Sequence, residues 1–163
     1  MGSRPILFLD VDGVLHPFHG HMSASQVTVF HQECMNRLAK IVSDTEAEIV
    51  LSTSWRNFGS TRNRLLVNLN QYDLTFSRWI EPDSVHSGMN ASASKAEKIL
   101  SFVQAHHPPS WAVLDDEDLV QLSGLPGDGL MMQLFASRFI QTNPSVGLSD
   151  RDVQETINIL IND

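Results

Sequence analysis

The sequence predicts an α/β fold, three layers in an α/β/α arrangement around a mostly parallel central sheet. Three observations carry that reading. Short apolar runs alternate with segments of helical periodicity along the chain. The runs are buried on both faces by their composition, as strands are when helices cover the two sides of a parallel sheet. Three of the runs end in polar clusters, which such a sheet gathers at one edge, outside the carboxyl ends of its strands.

The elements follow in order. "PILFLDVDGVLHPF" opens with the run Ile6–Leu9, a buried strand delivering Asp10 and Asp12, and the loop "GVLHPFHGHMSAS" comes after it. Val27, Phe30, His31, Cys34, Leu38 and Ile41 then keep helical spacing, which predicts a helix from about Ser25 to Ser43. "AEIVLSTSW" holds a second strand from Glu48 to about Ser52, ending in hydroxyl residues. A helix is expected over about Thr61–Gln71, a short strand in "LTFSRWI", and a helix in "SASKAEKILSFVQAHH" that Pro108–Pro109 stops. "WAVLDDEDL" is a strand ending in carboxylates, and "RFIQTN" is another. The last helix starts at Ser149, with Asp152 three residues on in a capping-box relation and Val153, Ile157 and Leu160 facing the core.

Length and charge narrow the function. A chain of 163 residues is read as one domain over 1–163, long enough for a sizeable core. No apolar stretch approaches the roughly 20 residues that cross a bilayer, and the sequence shows no secretory signal. The single cysteine, Cys34, cannot form an intramolecular disulfide and falls at a helical core position, so a reducing, cytoplasmic setting is expected. The net charge of −8 argues against a broad nucleic-acid surface, since phosphate neutralisation dominates such binding, but leaves room for a local basic cleft.

Two carboxylates converging beside an apolar core repel each other and lose solvation, and a divalent cation is the simplest partner that offsets both. Asp10/Asp12, Ser52/Thr53 and Asp115/Asp116 would meet at one edge of the sheet.

This ordered set resembles the haloacid-dehalogenase-like hydrolases, mostly magnesium-dependent phosphatases. "DVDGVL" fits that family's aspartate-x-aspartate-glycine pattern, "IVLST" its hydroxyl-ended strand, Lys95 in "SASKAEKIL" its lysine at a helix start, and "WAVLDD" its paired acids. "STSWR", "LDDED" and "FIQTNPSVGLS" resemble more narrowly the phosphatase-type domain of Swiss-Army-knife RNA repair proteins. The resemblance implies a Rossmann-like fold in which Asp10 attacks phosphorus and forms an aspartyl-phosphate. Asp12 protonates the leaving oxygen and later activates water. Mg2+ is held by Asp10, the Asp12 backbone carbonyl and Asp116, with Asp115 assisting. Lys95 adds positive charge, and Ser52 or Thr53 hydrogen-bonds a phosphoryl oxygen. The gaps from Asp12 to Ser52 and from Ser52 to Lys95 are too short for a full cap domain. Capless relatives act on large or exposed phosphates, polynucleotide ends among them, so the partner is a phosphorylated substrate, small or at a nucleic-acid end.

Several positions keep a second reading. Lys98 competes with Lys95 on the same helix. Arg56 either binds phosphate bidentately or pairs with a structural carboxylate, and Trp55 beside it is a candidate for touching substrate. His16, His19 and His21 in "HPFHGH" are a zinc set, a substrate-facing loop or plain solvated residues. Glu117 and Asp118 stand near the metal or in solvent. A calcium loop fits poorly, because Gly13 is fourth rather than sixth. Two other classes compete with the hydrolase: a receiver-like phospho-acceptor switch and a catalytically silent interaction domain. Asp12 separates the first, because an acid two residues after the acceptor shortens the life of a phosphoryl group.

Overall fold

A computed structural model describes residues 3–17, 29–83 and 93–162. Its centre is a five-stranded sheet in the order β3-β2-β1-β4-β5 with every neighbour parallel. The strands are β1 (Ile6–Leu9), β2 (Glu48–Leu51), β3 (Phe76–Trp79), β4 (Trp111–Asp115) and β5 (Phe139–Gln141). The helices are α1 (Gln32–Thr45), α2 (Gly59–Asn70), α3 (Lys95–His106), α4 (Leu130–Arg138) and α5 (Asp150–Ile161), with a 3₁₀ turn at Ser54–Asn57.

β1 lies between β2 and β4, so the chain winds outward to one side of it and then to the other. That reversal at β1 opens a crevice at the strand ends, the place where sheets of this type take ligands. The register is level there, with Leu9 opposite both Leu51 and Leu114.

Alternation along the strands builds two cores. Leu7, Leu9, Ile49, Leu51 and Leu114 point to one face and pack with α1, α2 and α5 residues such as Leu38, Leu65 and Val153. Ile6, Phe8, Val50 and Val113 point to the other and pack with Ile99 of α3 and Phe135 of α4. Phe8 meets Phe102 edge-to-face at 5.6 Å and Trp111 at 6.2 Å. Each such fully buried side chain contributes about 1.5–3 kcal/mol.

α1 begins at Gln32, not near Ser25; residues 25–28 of the expected helix lie outside the described residues. The His31 N–H bonds to the Leu15 carbonyl at 3.0 Å, which holds His31 extended and keeps the helix from reaching back through Phe30. From Gln32 onward, Cys34, Met35, Leu38 and Ile41 form the buried stripe. The capping boxes at Ser94/Glu97 and Ser149/Asp152 are both formed. α4 is an element the periodicity does not reveal. Met132 and Phe135 are buried, but Leu130, Met131 and Leu134 are exposed, so no single apolar face stands out. No described helix is long and apolar enough to cross a membrane.

Candidate active site

The ladder carries one residue past β1 and β2. The Asp10 N–H bonds to the Leu114 carbonyl and the Ser52 N–H to the Leu9 carbonyl, each at 3.0 Å. Asp10, Ser52 and Asp115 therefore stand at the same end of three adjacent strands. After Asp10 the extension stops. Gly13 adopts φ +74°, a conformation other residues rarely accept. A Cβ on Gly13 would lie 2.6 Å from the Asp116 carboxylate, so only glycine lets the acid after β4 settle against the turn after β1. The glycine of the first motif and the second acid of the last are one fitted contact.

Asp10, Asp115 and Asp116 each offer an oxygen within 4.8 Å of the others'. Asp115 is fully buried and Asp10 nearly so. Lys95, the first residue of α3, places its Nζ 2.7 Å from Asp115 Oδ2, 3.8 Å from Asp10 and 3.9 Å from Glu117. The Glu117 N–H bonds to the other Asp115 oxygen at 3.0 Å, fixing that carboxylate at both ends. Burial, and then the charge on Asp10, pushes the Asp115 carboxyl up to about 7 and that of Asp116 to about 6. Burial raises Asp10 too, with Lys95 opposing and Asp12 adding to the rise. Lys95 alone would lose its proton more readily through burial, but Asp10 and Asp115 hold it charged. Asp10, Asp115 and Glu117 thus share the Lys95 ammonium, and Asp116 adds a fourth carboxylate to the cluster. The donor set is all oxygen and its surplus charge is negative, which suits a hard divalent cation such as Mg2+.

Asp12 stands apart from this cluster. Continued extension would set it beside Asp10, but the turn at Gly13 carries it to different partners. Its Oδ1 is 2.8 Å from His16 Nε2, and its Oδ2 accepts the Trp55 indole N–H at 3.2 Å. Burial works against a proton on His16, but the hydrogen bonds to Asp12 and the Pro17 carbonyl and the charges of Asp12 and Asp10 together raise the imidazole. His16 is buried on the Asp12 turn; His19 and His21 lie outside the described residues.

The two hydroxyls of the second cluster differ. Thr53 caps the 3₁₀ turn by accepting the Trp55 N–H and also bonds to Asp10. Ser52 is fully buried, and its Oγ has no hydrogen-bond partner among the described residues. A buried hydroxyl left unpaired costs about 1–3 kcal/mol, so Ser52 is primed for an acceptor or donor that arrives with a ligand.

Arg56 is not free to fork onto a phosphate. Its five N–H groups go to the carbonyls of Ser52, Thr53 and Glu81 (twice) and to Asp83 Oδ1. Of the two readings of Arg56, the ion pair with a structural carboxylate is the one formed. Lys98 joins it on Asp83 at 2.9 Å, while Lys95 takes the carboxylate cluster. Asp12, Ser54, Arg56, Asp83 and Glu117 line a cavity of about 280 Å³ together with Asp10, Lys95 and Asp116. Ser54 and Asp83 were not singled out by the sequence. Nothing local marks either, because Asp83 gains its meaning only when β3 brings it to Arg56.

A parallel sheet that reverses at β1, with acids after β1 and β4, a buried hydroxyl after β2 and a lysine opening α3, defines a haloacid-dehalogenase-like (HAD-like) hydrolase. The chain belongs to the family described as the HAD domain in Swiss Army Knife RNA repair proteins, whose model matches residues 6–153. No curated protein gives a significant match.

Proposed function

We propose that the protein is a magnesium-dependent phosphomonoester hydrolase working through an aspartyl-phosphate on Asp10. The observation that carries this reading is the surplus of carboxylate beside Lys95, the triad of Asp10, Asp115 and Asp116 with Glu117 next to one ammonium. Asp10 attacks phosphorus, the bond to the leaving oxygen breaks, and Asp12 gives that oxygen a proton. Asp12 then takes a proton from the water that hydrolyses the acyl phosphate and frees Asp10. Lys95 keeps Asp10 ionised and offsets charge on the phosphoryl group. Ser52, whose hydroxyl is uncommitted, donates to a phosphoryl oxygen, whereas Thr53 is already engaged by Asp10 and Trp55. Asp10, Asp116 and the Asp12 carbonyl would hold Mg2+, with Asp115 beside them, and the ion would supply positive charge against the phosphoryl oxygens. The chain acts as a single domain. The family's description favours a phosphorylated polynucleotide end as substrate, held locally because the net charge is −8.

The test is phosphate release from p-nitrophenyl phosphate, phosphorylated sugars, nucleotides and polynucleotide ends, with Mg2+ or chelator, for the wild type and Asp10→Asn. Magnesium-dependent release lost in the variant is expected. Silence across the panel, or turnover that survives Asp10→Asn, would overturn the proposal.

A further inference from the structure

Asp12 is held more closely than its position on a turn requires. Its two oxygens are taken by two residues far apart in the chain, His16 Nε2 at 2.8 Å and the Trp55 indole N–H at 3.2 Å. Those holders are themselves locked. The His16 ring stacks on Phe30 at 5.9 Å with planes 8° apart, and Phe30 packs on Trp55 at 5.5 Å. His16, Phe30 and Trp55 are all buried, while the Asp12 side chain keeps 26% of its surface open and lines the cavity. Trp55 is pinned along its backbone as well, its N–H on Thr53 and its carbonyl accepting from the Thr61 hydroxyl at 2.6 Å. An indole N–H can only donate, so it holds the Asp12 oxygen as an acceptor and offers that oxygen no lone pair. The result is a rigid aromatic seat that presents one carboxylate to the cavity in one orientation.

We propose that Trp55 and His16 are positioning residues for Asp12, fixing the carboxylate edge that meets the leaving-group oxygen. This rests on the reading of Asp12 as the general acid. A side chain on a mobile turn would sample rotamers in which its proton misses the leaving oxygen, and fixing it in advance removes that loss from the barrier. In the step that forms the aspartyl-phosphate, the dependence is specific to leaving groups that need a proton. A p-nitrophenolate departs with little help, whereas phenolate needs it, because phenol is the weaker acid.

The experiment pairs an activity split with a spectrum. Turnover of p-nitrophenyl phosphate and phenyl phosphate is measured with Mg2+ for the wild type, Asp12→Asn, Trp55→Phe, His16→Phe and His16→Gln. Trp55→Phe keeps an aromatic ring against Phe30 and removes only the N–H donor. The expected result is a kcat/KM, which reports the step that expels the leaving group, lowered about 10- to 100-fold on phenyl phosphate in Trp55→Phe and His16→Phe, with less than about a threefold change on p-nitrophenyl phosphate. His16→Gln, which keeps a donor, regains most of the loss. In the ¹H–¹⁵N spectrum of the three tryptophan indoles, the resonance missing from Trp55→Phe shifts in Asp12→Asn while the other two stay. Equal losses of kcat/KM on both substrates, no loss on either, or an unmoved Trp55 resonance would overturn the proposal. If Trp55→Phe does not fold, the two His16 variants and the spectrum of Asp12→Asn decide alone. An Asp12→Asn variant that lowers kcat/KM equally on both substrates would sink the general-acid reading itself. Selective loss in Asp12→Asn without it in Trp55→Phe or His16→Phe would remove only the positioning roles.

Discussion

Two charged clusters line the same cavity and are built with opposite balance. Beside Lys95, the carboxylates of Asp10, Asp115, Asp116 and Glu117 crowd one ammonium, and burial with the Asp10 charge pushes Asp115 up to about 7 and Asp116 to about 6. Around Asp83, the buried cations Arg56 and Lys98 share one carboxylate, which the Lys98 and Asn57 hydrogen bonds and the Arg56 charge hold down at about 2 against its burial. In the second cluster every Arg56 donor has an acceptor. In the first, charge is left over and the Ser52 hydroxyl has no partner among the described residues. A complete network holds the chain in place, and an incomplete one is arranged for something that arrives.

The largest expected effect lies in the incomplete cluster. Asp10→Asn should lower kcat for phosphate release by about 10³-fold or more, while the unfolding midpoint stays level or rises as repulsion is relieved. A drop in stability that parallels the loss of activity would make Asp10 a structural acid and break the contrast. Next comes Arg56→Met, which strips donors from three backbone carbonyls and from Asp83. Urea unfolding should show a loss of about 3–5 kcal/mol, and a loss under about 1 kcal/mol would mean the second network is dispensable. Third, Mg2+ at about 100 times its Kd should stabilise the fold by about 2.7 kcal/mol. Melts with and without the ion should show this for the wild type and Asp83→Asn but not for Asp116→Asn.

The smallest effect is a slope. The acids near Lys95 titrate higher in the folded chain than at their ordinary value of 3.8, so the fold binds protons that the unfolded chain releases. Their contribution is complete below pH 3.8 and is lost as pH rises through about 6 and 7. Asp83 runs the other way, contributing above 3.8 and losing that contribution as pH falls through about 2. In chelator, the urea midpoint should therefore decline between pH 5 and 8 more steeply for the wild type than for Asp115→Asn. A shared slope would show that the surplus charge has no energetic consequence.

Much of this was legible beforehand, and the gaps have physical causes. Ile6–Leu9 read as a strand because four apolar residues ending in an acid have few other uses, and the same logic placed Trp111–Asp115. Ser94 and Ser149 announced their helices because a capping box is local chemistry. The start of α1 was misplaced because Phe30 keeps helical spacing with Cys34 while packing on His16 and Trp55 instead. α4 was invisible because its apolar residues face both ways. Among the site residues, Asp10, Ser52, Lys95, Asp115 and Asp116 each follow a strand or open a helix, and topology alone collects them. The company of Asp12 could not be foreseen, since it depends on a turn that departs from extension. Nor could the pairing of Arg56 with Asp83, which lies 27 residues along the chain. A tryptophan directly after a hydroxyl-ended strand is a usable signal in hindsight, because a buried indole needs an acceptor.

The central place of β1 has a consequence for the chain as it is made. Asp10 and Ser52 leave the ribosome early, but Lys95, Asp115 and Asp116 follow only with α3 and β4. Translation at about 5–20 residues per second puts several seconds between the two halves of the site. Through that interval one side of β1 lacks its neighbour, and Gly13 awaits the carboxylate that will rest against it. A nascent or prematurely ended chain therefore carries Asp10 and Ser52 without the lysine and acids that complete the cluster. The site is whole only when β4 slots in beside β1, so the order of synthesis makes its assembly a late event rather than an early one.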